Sequence, residues 1–276
     1  MSKENRFQFI NSGECENVSL LDVTMNDFSY SKHAHEEYSL GVTLQGRQDF
    51  FCQRAYHRSP SGGVLLFNPE DVHDGHSGGD QELKYTMLYV HPDEFTPLFR
   101  ALGYQGNPIL RVDQPIVDNP ILRHQILRLS STIQKTNYSK VEFESGLFQI
   151  AQSLVAMSGT LDITTQLSKR TDKLLLRARD YILANLGHDF SIDDIANAAN
   201  MSKFHFIRQF RQQFGITPHQ YVLSCRVNLA RKVIGSGQSI NQAVFEAGFA
   251  DNSHLNRHFK RIYGMTPKRF QIQLSL

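Results

Sequence analysis

The sequence predicts a two-domain α+β fold: an N-terminal β-barrel with a flanking helix pair, then an all-α domain holding two helix-turn-helix units. Three observations carry this expectation. Up to Pro92 the chain alternates short apolar runs with turn signals, from Pro92 the apolar residues recur at helical spacing, and the C-terminal region repeats itself. The 276 residues, at about 150 to a domain, allow two cores. A first domain over residues 1–160, a linker over 161–171 and a second domain over 172–276 are expected.

Composition removes several classes. Hydrophobic residues make up 40% and charged residues 20%, a globular mixture and not that of a disordered chain. Cys15, Cys52 and Cys225 are too few and too scattered for a disulfide framework or a structural zinc knuckle. Met1-Ser-Lys-Glu-Asn-Arg6 leads into no apolar run of a secretion signal. No stretch approaches the roughly 18 apolar residues of a membrane span. A soluble, cytoplasmic protein with no membrane partner is expected.

Taken in order, strands are expected at 18–25, 39–44, 48–56, 63–67 and 84–90, all rich in Val, Leu, Phe and Tyr. Turns fall at 44–47, 59–63 and 76–80, where Gly, Ser and Pro gather. A helix follows over 92–103, with Pro92 in its first turn and Gly103 past its end. The segments 119–136 and 140–157 read as a helix pair. Ile121, Gln125, Leu129 and Ile133, then Phe143, Leu147, Ile150 and Leu154, recur at helical spacing around a break at 137–139. Such a pair either covers one side of the barrel or offers an apolar stripe to a second copy, making a homodimer. Residues 158–172 are polar and aperiodic, as a linker is.

The formal net charge of +2 hides a polarised chain. Residues 1–170 hold 15 Lys and Arg against 20 Asp and Glu, or −5, while residues 171–276 hold 14 against 7, or +7. A basic domain is the electrostatic footprint of a surface that meets phosphate, or simply a solvated basic face.

The C-terminal repeat decides between these. Arg208, Phe210, Arg211, Phe214, Gly215, Thr217, Pro218 and Tyr221 match Arg257, Phe259, Lys260, Tyr263, Gly264, Thr266, Pro267 and Phe270, always 49 positions on. Upstream, Ser191-Ile192 matches Ser239-Ile240 and Ala199 matches Ala247 at an offset of 48, so the second copy has one extra residue in its turn. Each copy reads helix, tight turn, helix. Ser191 and Ser202 are expected N-caps, with Asp193 and Asp194 favoured by the helix dipole. Phe206, Phe210 and Phe214 form an inward ridge, leaving Lys203, Phe204, Ile207, Arg208 and Arg211 on another face. In the second copy Leu255, Phe259 and Ile262 or Tyr263 point inward, and Asn252, Ser253, Asn256, Arg257 and Lys260 outward.

An arginine-bearing face on the second helix is what reading a major groove requires. The groove admits one helix, and arginine bonds guanine O6 and N7 bidentately. Residues 218–235 are long enough for one connecting helix between the two readers. If it sets them about 34 Å apart, both enter successive grooves on one side of a duplex.

Ile240-x-x-Ala243-Val244-x-x-Ala247-Gly-Phe249, then Leu255-x-Arg-x-Phe-Lys260 and Tyr263-Gly-x-Thr-Pro267, resemble the signature of the AraC/XylS family of bacterial transcription regulators over roughly residues 172–273. The resemblance implies a two-unit DNA-binding domain that often activates transcription beside RNA polymerase. It places Phe204, Ile207 and Arg208, then Asn252, Ser253, Asn256 and Arg257, at base- or phosphate-contacting positions. The family often carries a polar residue where Ile207 stands. Cys225 falls in the connecting helix as a packing residue.

Four of the twelve histidines lie in two runs, His33-Ala-His35-Glu-Glu37 and His73-Asp-Gly-His76. On a strand His33, His35 and Glu37 share one face. Neutral imidazoles with a carboxylate suit zinc, iron or nickel. Their spacing, ending at Gly46, resembles the first half of a cupin motif, and Gly63-Val-Leu-Leu-Phe-Asn-Pro69-Glu-Asp-Val-His73 its second half, with Asp71 where the motif has glycine. A cupin-like barrel that encloses a small-molecule effector is therefore implied, with His33, His35, Glu37 and His73 as effector-contacting residues or as ligands of a divalent metal. Arg47 and Tyr38 are read as further barrel-lining residues. No cofactor is required by this reading. The function expected is an effector-controlled, DNA-binding transcription regulator that is not an enzyme; the alternative is a metal-dependent cupin enzyme with an appended DNA-binding domain.

Overall fold

A computed structural model describes residues 4–13, 15–107, 109–135, 138–158 and 171–274. The chain forms two compact units: one holds the residues up to Ser29 and those from His35 through the third helix, the other holds Tyr30–Ala34 and everything from the fourth helix on. The expected linker, 161–171, lies outside the described residues but for Thr171.

In the first unit the strands are β1 (Arg6–Asn11), β2 (Val18–Met25), β4 (Tyr38–Gln45), β5 (Arg47–Cys52), β6 (Ala55–Pro60), β7 (Val64–Phe67), β8 (His73–Ser77), β9 (Leu83–Val90) and β10 (Ile116–Val117); β3 (Ser29–His33) falls at the border of the two units. A six-stranded sheet runs β1-β2-β9-β4-β7-β10, and β8, β5 and β6 stand side by side in a second sheet. These are two sheets and not one closed ring. Their inner faces meet where the Phe50 and Phe67 rings lie 5.2 Å apart edge-on and where Thr43 Oγ1 and Ser59 Oγ are 2.9 Å apart.

Three helices cover the outer face of the larger sheet: α1 (Pro92–Ala101), α2 (Pro120–Ile133) and α3 (Lys140–Ser158). Val18, Leu20, Tyr38, Leu40, Val42, Val64, Leu66, Leu88 and Val90, alternate residues of four strands, bury there against Phe95, Phe99, Leu122, Ile126, Leu147 and Ile150. The inward stripe of α2 keeps the expected Leu129 and Ile133 but starts one residue later than its sequence suggests. Leu122 and Ile126 face the core, whereas Ile121 is 68% exposed.

Two strand expectations need correction. Residues 48–56 form no single strand, because Gln53 (φ 50°) and Arg54 (φ 66°) turn the chain into the β5–β6 hairpin. Two left-handed residues in succession make the tight turn that matches strand twist, but Gln-Arg is not its usual sequence. His76 and Ser77, read as turn, end strand β8.

The second unit is helical: α4 (Thr171–Ala184), α5 (Ile192–Ala198), α6 (Lys203–Phe214), α7 (Pro218–Gly235), α8 (Ile240–Glu246), α9 (Asn252–Tyr263) and α10 (Pro267–Leu274). The repeat is structural to the cap. Both α6 and α9 end at a left-handed glycine, Gly215 at φ 78° and Gly264 at φ 74°. The turns inside the two copies span 199–202 and 247–251, so the extra residue lies where the change of offset put it. Ser191 closes a capping box with Asp194, and Asp251 caps α9 by accepting from the His254 N–H, but the Ser202 side chain makes no capping bond. The connecting segment is one helix, α7, with Cys225 buried in it. Its Arg226 donates to the Leu186 and His188 carbonyls (3.0 and 2.9 Å) and so holds the chain after α4. Among the described residues no helix is long and apolar enough to cross a membrane.

Candidate functional site

Two regions gather the residues singled out by sequence. The first is the outer face of α6 and α9. Phe206 and Phe210 are wholly buried, their rings 5.3 Å apart, and Phe210 stacks on toward Phe214 and Tyr221. That fixes the helix rotation and turns Lys203, Phe204, Arg208 and Arg211 out to solvent, with Ile207 half-buried. Phe204 is 83% exposed. Lys203 Nζ meets Asp193 Oδ2 at 2.8 Å, and Arg208 Nη2 lies 3.3 Å from His205 Nδ1. In α9 Leu255, Phe259, Ile262 and Tyr263 are buried, and Asn252, Ser253, Asn256, Arg257 and Lys260 are exposed. Asn252 Nδ2 donates to Asn241 Oδ1 at 2.9 Å, bracing α9 against α8.

All ten residues expected to meet DNA therefore stand at least partly in solvent, five of them cations. His258, between Arg257 and Arg261, adds no charge at neutral pH. Burial, then the neighbouring His254, Arg261, Arg257 and His219, push its pKa down to about 4. Exposed arginine and asparagine on a helix otherwise locked by its aromatic ridge are the donors that base edges and phosphates accept.

The second region lies between the two sheets of the first unit. The residues of β4, β7 and β9 that alternate with the helix-facing set point inward: Ser39, Gly41, Thr43, Leu65, Phe67, Tyr85, Met87 and Tyr89. His35 and His73 join them. Their rings are 5.3 Å apart, His35 stands edge-on to Tyr89 at 5.1 Å, and His73 stacks on Phe67 at 4.1 Å. His73 Nδ1 lies 2.8 Å from the Asp71 carbonyl oxygen, which fixes the ring, and burial pushes its pKa down to about 4. Neutral imidazole is the form that binds metal or shares hydrogen bonds with a neutral ligand.

The two histidines reach this place differently from the expectation. Strand β3 ends at His33, and Ala34–Glu37 turn the chain, so no strand alternation aligns His33, His35 and Glu37. His33 belongs to the second unit, its Nδ1 2.6 Å from the Ser31 carbonyl, while Glu37 is buried in the first. Just before Asp71, which stands where the motif has glycine, Glu70 takes the left-handed conformation (φ 67°), and Asp71 pairs with Arg111 while accepting from Asn68 Nδ2. Tyr38 and Arg47 do not line the interior. Tyr38 packs outward on Phe95 and Phe99 and donates to the Leu110 carbonyl, and Arg47 pairs with Asp49 on the opposite face of β5 from Phe50.

Two interior residues escaped the sequence reading. Ser39 Oγ and Gln48 Oε1 are buried and find no hydrogen-bond partner among the described residues. The alternation Ser39-Leu-Gly-Val-Thr43, with small or polar residues between apolar ones, marks the inward face of β4 and was the signal available.

Comparison with known proteins assigns a family description to each of the two units. A family model described as an AraC-like ligand binding domain matches residues 17–151, and one described as a helix-turn-helix domain matches residues 195–273. An uncharacterized helix-turn-helix transcriptional regulator of Bacillus subtilis, YbfI, is 25% identical over 82% of this chain and 81% of its own. The transcriptional activator RhaS of Klebsiella pneumoniae is 23% identical over 87% of each chain. Among solved structures, wild-type ToxT of Vibrio cholerae bound to an unsaturated fatty acid shares the fold, with a TM-score of 0.61 at 15% identity over 99% of this chain and 98% of that one.

Proposed function

This chain belongs to the AraC family of transcription regulators, and from that premise we propose that α6 and α9 are its two DNA-reading helices and that the space between its sheets receives the controlling effector. Transcription regulation through a ligand-binding first domain and a DNA-binding second one is what the family does. The observation that carries the finer assignment is the pair of matched exposed faces, with Arg208 and Arg257 at corresponding turns above matched buried residues. The test is a salt titration on duplexes that the protein selects from random sequence. Neutralising phosphates with Lys203, Arg208, Arg211, Arg257 and Lys260 gives log K against log salt a slope of roughly −4 to −5. A flat response overturns it.

The effector is a neutral small molecule with apolar or aromatic surface. Phe67, Tyr85, Met87 and Tyr89 offer that surface, His73 is held uncharged, and Ser39 and Gln48 offer hydrogen bonds. A divalent metal on the histidines is the second reading, favoured by the neutral state of His73, and elemental analysis of purified protein decides it. The relatives are transcription regulators, and we assign the chain no catalytic step. It acts in the cytoplasm, beside RNA polymerase, as a homodimer through α2 and α3, where Ile121 and Val141 leave apolar surface exposed. Sedimentation of Ile121→Asp against the unaltered chain tests the dimer.

A further inference from the structure

Helix α7 buries two polar side chains, Ser224 and Asn228, one turn apart. Both are engaged by a single residue, Ala34, immediately after β3. Ser224 Oγ accepts from the Ala34 N–H at 3.1 Å and donates to the Ala34 carbonyl at 3.2 Å, and Asn228 Nδ2 donates to the same carbonyl at 2.8 Å. The other end of the Asn228 amide is also engaged, since Tyr263 O–H donates to its Oδ1 at 2.8 Å. Tyr263 is the last residue of α9. One buried amide thus joins the main chain of Ala34 to the end of the second reading helix.

The next peptide is held elsewhere. The His35 carbonyl accepts from the Glu70 N–H at 2.7 Å, within the first unit, in the loop that carries Asp71 and leads to His73. Only the φ and ψ of His35 separate a carbonyl bound by α7 from one bound by that loop. A polar pair inside a helical core costs stability unless fully bonded, and apolar side chains would fill the same space. Among the described residues, the side-chain bonds of the pair go to Ala34, just past β3, or to the end of α9.

We propose that Asn228, supported by Ser224, is a positioning residue that couples the His35–Glu70–His73 loop to the second reading helix through the main chain of Ala34. The proposal rests on the reading that α9 binds DNA. Effector and DNA then act on one equilibrium, and coupling is reciprocal: what the effector does to α9, DNA does in return to the histidine loop.

Reciprocity makes a test possible without the effector. Hydrogen exchange is followed on the full chain, with and without a duplex that it selects from random sequence. DNA changes exchange in peptides covering 30–37 and 68–73 by about fivefold or more, the low end of usual coupling. In Asn228→Asp, which keeps the acceptor for Tyr263 but loses the donor to Ala34, and in Tyr263→Phe, the duplex still binds with the same salt slope but those changes vanish. If either variant fails to fold by circular dichroism, Ser224→Ala, which removes two of the three bonds to Ala34, carries the same expectation. DNA binding without any change at 30–37 and 68–73, or changes that persist in the variants, overturns the coupling alone. Absence of DNA binding by the unaltered chain overturns the DNA-reading assignment and the coupling with it.

Discussion

Arg257 stands in α9 where Arg208 stands in α6: each lies two residues past a wholly buried side chain, Leu255 or Phe206, and each is exposed. A helix with a buried ridge on one side has no freedom to rotate those arginines inward. They contribute little to the fold, which is the condition for a residue that serves binding alone. Arg257→Ala is therefore expected to weaken DNA affinity by about 1–3 kcal/mol and to relax preference at one base pair, with an unchanged thermal melt. Affinities for the selected site and its single-base variants measure both effects.

Phe210 supplies the contrast. It is fully buried and its ring touches those of Phe206, Phe214 and Tyr221 at 4.4–5.4 Å. Phe210→Ala leaves a cavity in the first helix-turn-helix unit and is expected to cost about 3–5 kcal/mol. Denaturant unfolding followed by circular dichroism reads this directly, and affinity falls only as the folded fraction falls.

The glycines separate strain from collision. Gly215 ends α6 at φ 78° with no heavy atom of the described residues beyond its own chain neighbours and helix backbone within 4 Å of an added Cβ, whereas at Gly248 (φ 68°) a Cβ would meet the Leu186 carbonyl oxygen at 2.5 Å. Gly215→Ala is expected to cost about 1–2 kcal/mol, the left-handed penalty alone. Gly248→Ala adds a backbone clash to that penalty, so it costs more and moves the chain after α4 away from α8. Thermal melts of the two variants rank them, and equal melting temperatures would contradict the packing around Leu186.

Legibility followed locality. The repeat announced itself because glycine, proline and aromatic residues must recur where a helix ends, where the next begins and where two helices cross. The hairpin at Gln53-Arg54 was illegible because those residues seldom take left-handed conformations, and only pairing of β5 with β6 forces them there. Tyr38 and Arg47 were misplaced for a related reason. Which face of a strand points inward depends on what lies against each face: for Tyr38 that is the helices far along the chain at Phe95 and Leu122, and for Arg47 the facing sheet that Phe50 meets at Phe67. Ser224 and Asn228 carried no signal at all, because a buried polar residue in a connecting helix means nothing until its partner, residues 190 or more away in sequence, is known.

His73 gives a stability prediction with a definite sign. Its pKa is lowered from 6.5 to about 4, first by burial, against a smaller opposing effect of the bond to the Asp71 carbonyl. Above pH 6.5 both folded and unfolded chains hold it neutral, so it contributes no pH dependence. As pH falls below 6.5 the unfolded chain binds a proton that the folded chain refuses, and stability drops until the folded ring also protonates near pH 4. The loss over that window is about 3 kcal/mol, at 1.36 kcal/mol for each pH unit of difference. His73→Phe keeps a ring against Phe67 but removes the proton. In chelator, so that no metal competes for the imidazole, denaturant unfolding at pH 7, 5.5 and 4 is expected to show the unaltered chain losing that much more stability than the variant. Parallel pH profiles for the two proteins would mean that His73 is not held neutral between the sheets.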